Sequence, residues 1–125
     1  MKDAPVVLLA DDEEAVRRVL ARMLERMGCR VLAAADAAQA LHLGESHRGP
    51  IDLLVTDVML PDRTGVQLAY DLAEHRAGVP VLFVSGYPDE DATRFGVVGP
   101  GYHFLQKPVD INHFAQTVRA LLGIG

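Results

Sequence analysis

Short apolar runs alternate with stretches of helical periodicity along the whole chain. Val6–Ala10 is a continuous apolar run of strand length. Over residues 13–27, Val16, Val19, Leu20, Met23, Leu24 and Met27 recur at three- and four-residue spacing, which predicts an amphipathic helix. Gly28 is placed to end that helix in a left-handed conformation. Val31–Ala34 reads as a second, weaker strand, and Asp36 as the N-cap of a short Ala-rich helix through about Leu43. After a loop at His47–Pro50, residues 52–56 read as a third strand. Val66, Ala69, Leu72 and Ala73 then mark a helix ending near Gly78. Pro80–Ser85 is the fourth strand and Tyr102–Gln106 the fifth. Between them, residues 88–101, with Ala92, Phe95, Gly96 and Gly99-Pro100-Gly101, read as one short helix followed by a loop. Asp110 is positioned to cap a last helix that carries Ile111, Phe114, Val118, Leu121 and Leu122 on one face.

Alternating β and α units predict an α/β fold, a doubly wound parallel sheet with helices on both faces. Right-handed crossovers restrict its topology. In such sheets ligands bind beyond the carboxyl ends of the strands. Asp11, Asp12, Asp57, Ser85 and Lys107 all stand at or just after a strand's carboxyl end, on strands one, three, four and five. The fold therefore brings them to one crevice.

Composition narrows the function. A length of 125 residues fits one domain spanning 1–125, and 50% hydrophobic residues suffice for a core. The net charge of −5, with basic residues scattered apart from Arg17-Arg18, argues against nucleic-acid binding by this domain. Cys29 is the single cysteine, so no internal disulfide forms and a reducing, cytoplasmic setting is expected. No apolar run reaches the length of a membrane span, and Met1–Pro5 does not read as a signal peptide, so no membrane contact is expected. The five histidines have no metal-type spacing with one another or with Cys29, and they read as surface or partly buried residues.

Three carboxylates in one crevice repel each other and raise each other's pKa. Shared protons or a bound cation relieve this. An oxygen-rich site suits a hard divalent ion, and Mg2+ needs only one or two direct carboxylates because it keeps several waters. Asp12 is the better direct metal ligand of the N-terminal pair, with Asp11 acting through water, and the Met59 backbone carbonyl offers another oxygen. Lys107 adds a positive charge and Ser85 a hydroxyl donor. A metal, a lysine and a hydroxyl around a carboxylate make a cradle for a phosphoryl group. Asp57 is the best nucleophile of the three acids, since an ionised carboxylate needs no general base. Glu13 and Glu14 read as first-turn helix acids.

The segments Val7-Leu8-Leu9-Ala10-Asp11-Asp12-Glu13, Thr56-Asp57-Val58-Met59-Leu60-Pro61-Asp62-Arg63-Thr64-Gly65, Val84-Ser85-Gly86 and Gln106-Lys107-Pro108 resemble the receiver domain of two-component response regulators. The resemblance covers nearly the whole chain. It implies a flavodoxin-like (βα)5 fold with strand order 2-1-3-4-5, and phosphorylation of Asp57 by the phosphohistidine of a histidine kinase or histidine phosphotransfer protein. It implies that Asp11, Asp12, Asp57 and the Met59 carbonyl hold Mg2+, with Mn2+ able to substitute. Ser85 and Lys107 would contact the phosphoryl oxygens, and Lys107-Pro108 would be a cis peptide. Ser85 and Phe104 would form the switch pair, and phosphorylation would favour an active conformation and allow a homodimer. Serine replaces the commoner threonine at 85, phenylalanine replaces tyrosine at 104, and a Gly-rich stretch follows Ser85. That stretch, through Lys107-Pro108, resembles receivers of hybrid sensor kinases, and a Gly-rich fourth helix would leave the output face more mobile.

The expectation is a regulatory phosphoacceptor that assists only its own phosphorylation and slow dephosphorylation. Two other classes compete with it. A protein-interaction scaffold with a vestigial pocket would not need the full acid set with Ser85 and Lys107. A phosphohydrolase of the haloacid-dehalogenase type wants a second acid two residues after the nucleophile, where this chain has Met59. With no output domain after the last helix, the chain is expected to be a single-domain regulator, a phosphorelay shuttle or a receiver from a hybrid kinase.

Overall fold

The structure is a computed structural model that describes residues 3–86 and 101–124. Five strands, β1 (Val6–Ala10), β2 (Arg30–Ala34), β3 (Leu53–Thr56), β4 (Val81–Ser85) and β5 (Tyr102–Gln106), form one parallel sheet. Their order is β2-β1-β3-β4-β5, with the reversal of winding between β1 and β3. Four helices are described: α1 (Glu14–Arg26), α2 (Ala37–Ser46), α3 (Gly65–His75) and α4 (Ile111–Leu122). The short helix and loop expected over 88–101, with Ala92 and Phe95, lie outside the described residues except for Gly101; so does Tyr87.

The sheet separates two cores. Alternation along β1 sends Leu8 to one face with Leu54, Phe83 and Leu72, and Leu9 to the other with Val55, Leu82, Phe114 and Leu24. The central strands β1, β3 and β4 are buried on both faces, so they read as continuous apolar runs. The edge strands β2 and β5 keep exposed positions, which explains their weaker pattern.

Helix boundaries follow local chemistry with four differences from the expected pattern, the first being that α3 stops at His75, short of Gly78. The second helix runs on to Ser46, past Leu43, because Gly44 lets it lie close to α3. A Cβ on Gly44 would sit 2.8 Å from Leu72 Cδ1. In α3, Leu68 is buried and Ala73 is exposed, since the buried face centres on Gly65 and Leu72 and leaves Ala73 at its edge. Val19 of α1 and Ile111 of α4 are more than half exposed, although both lie on apolar stripes. Asp36 and Asp110 cap α2 and α4 through Gln39 N–H and His113 N–H at 2.7 and 2.9 Å. Gly28, with φ of +92°, terminates α1.

A second carboxylate also serves α2. Asp62, from the loop after β3, accepts from the Ala37 and Ala38 backbone N–H groups, each at 2.9 Å. These amides, at the positive end of the helix, hold the Asp62 carboxyl below its ordinary value. A depressed folded-state pKa contributes stability above the unfolded value and loses it as pH falls through the folded one. Asp62→Asn should therefore lower Tm at pH 7, with the gap to the parent narrowing as pH falls from about 4. Thermal melts across that range check this, and a pH-independent gap contradicts it.

Candidate functional site

The carboxyl ends of β1, β3, β4 and β5 meet in one crevice. Leu9, Val55 and Leu105 all point to the face that carries α1 and α4. Asp11, Asp57 and Lys107 each follow one of them by two positions, so strand alternation carries all three toward the same side. The register completes the approach. Ala10 pairs with Thr56, the Asp57 N–H donates to the Ala10 carbonyl at 3.0 Å, and the Lys107 N–H donates to the Ser85 carbonyl at 2.6 Å. The Lys107–Pro108 peptide is cis.

The Lys107 ammonium is the electrostatic centre. Nζ lies 2.9 Å from Asp57 Oδ2, 3.0 Å from Asp11 Oδ2 and 2.9 Å from Glu13 Oε1. Asp11 and Asp57 are 1% and 8% exposed. An unpaired charge at that depth costs several kcal/mol, on the order that removes most of a domain's stability. Burial opposes the Lys107 charge, but its contacts with Glu13, Asp57 and Asp11 outweigh that and raise its pKa above the ordinary lysine value. Burial pushes the Asp11 carboxyl up, against the pull of the Glu13 backbone N–H and of Lys107. Asp11 Oδ1 accepts that N–H at 2.9 Å. Asp11 Oδ2, beside the ammonium, makes no well-directed hydrogen bond.

Asp11, Asp12 and Asp57 each offer a carboxylate oxygen within 4.8 Å of the others. Asp12 is exposed and opens the cluster to water. An all-oxygen donor set that includes a buried, poorly directed carboxylate oxygen fits a hard divalent cation. The Met59 N–H donates to Asp57 Oδ1 at 3.2 Å, which folds the Met59 backbone over the carboxylate. Ser85 is fully buried. It continues the opposite face of β4, the Phe83 face, against which Phe104 also packs and with which Phe104 is in register. Ser85 and Phe104 therefore share one side of the sheet and Lys107 the other.

Three contributors were not assigned to the site by sequence. Glu13 is the N-cap of α1, yet its side chain makes no capping hydrogen bond and reaches Lys107 instead. Its place directly after Asp11-Asp12, and the weak capping ability of glutamate, are the traces it leaves in the sequence. Thr56 Oγ1 donates to the Asp57 carbonyl at 2.9 Å. Gly65 opens α3, behind a capping box formed by Thr64 and Gln67. A Cβ at Gly65 would lie 2.1 Å from the Asp57 carbonyl oxygen, so only glycine lets the helix start against the back of that residue.

The chain matches the response regulator receiver domain family over residues 7–119. It is 33% identical over 122 residues to the sensor kinase CckA of Brucella abortus, covering 98% of this chain but only 13% of the kinase. It is 29% identical to the response regulator receiver protein CpdR of the same organism, covering 93% of this chain and 95% of that protein. Among solved structures, the receiver domain of a hybrid histidine kinase CckA superposes with a TM-score of 0.81 at 38% identity, covering 94% of this chain and 98% of that one. A response regulator receiver protein from Sinorhizobium medicae gives 0.85 at 28% identity, covering 97% and 96%.

Gly65→Ala should displace the Asp57 backbone and destabilise the domain by about 1–3 kcal/mol, the usual cost of overpacking. Urea unfolding measures this, and a midpoint equal to the parent's contradicts it.

Proposed function

The chain belongs to the response regulator receiver domain family of two-component systems, and on that premise we propose that Asp57 is its phosphoacceptor. The observation that carries this reading is the buried Asp57 carboxylate, held 2.9 Å from the Lys107 ammonium and within 4.8 Å of two further acids. An Asp57 oxygen attacks the phosphorus of a donor phosphohistidine. The P–O bond of an acyl phosphate forms as the P–N bond breaks, and the departing imidazole takes a proton from solvent. Lys107 and Ser85 are the protein's contacts to the phosphoryl oxygens, and Lys107 neutralises charge there without leaving its place. Asp11, Asp12, Asp57 and the Met59 carbonyl would hold Mg2+, or Mn2+ in its place. The bound ion would supply Lewis-acid neutralisation of the developing charge.

The donor is a histidine kinase or a histidine phosphotransfer protein. Likeness to hybrid-kinase receivers supports a place in a phosphorelay, in the cytoplasm where ATP-dependent kinases work. The chain spans 13% of the CckA sensor kinase and 48% of the regulator PhoP of Bacillus subtilis. Phosphorylation shifts the domain between two pre-existing arrangements, to the extent that the phosphoryl group binds one of them better through Ser85 and Lys107. Phe104, on the Ser85 side of the sheet, is the aromatic that reports the shift.

Beryllofluoride with Mg2+, at about 100 times its Kd, should stabilise the parent by about 2.7 kcal/mol. Asp57→Asn should not respond, and EDTA should abolish the parent's response. A small-molecule phosphodonor should add one phosphoryl mass to the parent alone. Equal responses from the parent and Asp57→Asn would sink the assignment.

A further inference from the structure

Lysine has three ammonium N–H donors, and in Lys107 three carboxylates surround them. Two of the three belong to the cluster that a divalent cation and a phosphoryl group would occupy. The third, Glu13, does not. Its side chain is 59% exposed, against 2% for Asp11 and 10% for Asp57, so it stands at the mouth of the crevice while they form its floor. Glu13 also breaks a local rule. It occupies the N-cap of α1, where Ser, Thr, Asp or Asn would bond the first helical amides, and it makes no such bond. A residue that breaks a local preference in favour of a long-range contact is expected where function needs that contact.

We propose that Glu13 is a positioning residue for Lys107, the anchor that keeps the ammonium over the mouth once the floor is occupied. This rests on the reading of Asp57 as phosphoacceptor. A divalent cation on Asp11 and Asp57 competes with Lys107 for their oxygens and draws off two of its three anchors. The lysine stem has four rotatable carbons, and without a third anchor the ammonium swings into solvent. The Glu13 contact survives cation binding because its oxygen stands outside the three-acid cluster. An arriving phosphoryl group then meets an ordered cation. Glu13 and Lys107 also line one groove of about 560 Å3 with Val16, Val19, Pro108 and Ile111, so the anchor sits on the rim that an approaching donor would cross.

The test compares the parent with Glu13→Gln, which removes the charge, and Glu13→Ser, which supplies a better cap but cannot reach Lys107. In 15N-lysine-labelled protein, the Lys107 ammonium resonance should be protected from exchange in all three without metal, held by Asp11 and Asp57. On adding Mg2+ it should stay protected in the parent, be lost in Glu13→Ser, and be weakened in Glu13→Gln, whose neutral amide oxygen still accepts but without charge assistance. Beryllofluoride affinity should fall about three- to tenfold in both, the scale of one partly exposed charge-assisted hydrogen bond. The Tm of Glu13→Ser should equal or exceed the parent's, which separates positioning from helix stability. A Lys107 resonance that stays fully protected in the variants with Mg2+, or unchanged beryllofluoride affinity, overturns the role of Glu13 while leaving Asp57 as acceptor. A parent that answers neither Mg2+ nor beryllofluoride overturns both.

Discussion

Lys107 brings one positive charge to a crevice that holds Asp11 and Asp57 almost out of solvent, and it meets both at about hydrogen-bond distance. Each of these acids would cost several kcal/mol to bury unpaired. The single ammonium offsets part of that cost for both. One positive charge against three clustered aspartates is still an excess of negative charge, and such an oxygen-rich set fits a divalent cation better than it fits a finished salt bridge.

The scaffold serves this imbalance. A doubly wound sheet buries its central strands on both faces, so the chain can expose functional groups only where those strands end. The winding reverses between β1 and β3, the two strands whose carboxyl ends carry Asp11 and Asp57. The loop after β3 is held from two directions. Gly65 lets α3 start against the Asp57 carbonyl, and Asp62 ties the far side of the loop to the first amides of α2. The backbone around Asp57 is therefore fixed by helices on the face opposite Lys107.

Much of this was legible in sequence. The five apolar runs, the caps at Asp36 and Asp110 and the end of α1 at Gly28 stand where their local chemistry puts them. Strand-end placement put Asp11, Asp12, Asp57 and Lys107 together in one crevice, with Ser85 at the end of β4 on the other side of the sheet. What was less legible depended on packing partners. Leu43 gave no sign that α2 would continue, because the reason is the fit of Gly44 against Leu72 on another helix. Ala73 belongs to the right period but lies at the edge of the buried face, whose centre is set by the sheet. Glu13 looked like an ordinary helix acid because its partner is 94 residues away.

The sequence by itself determined the alternation of strand and helix, the parallel sheet that follows from it, and the identity of the charged residues at strand ends. These depend on periodicity and capping within a few residues. The tertiary structure alone decided which oxygens share the Lys107 ammonium, that Glu13 is one of the sharers, and that Gly65 touches Asp57. Those are contacts between segments far apart in the chain, fixed to within ångströms by strand register and by the close packing of helices on a shared sheet.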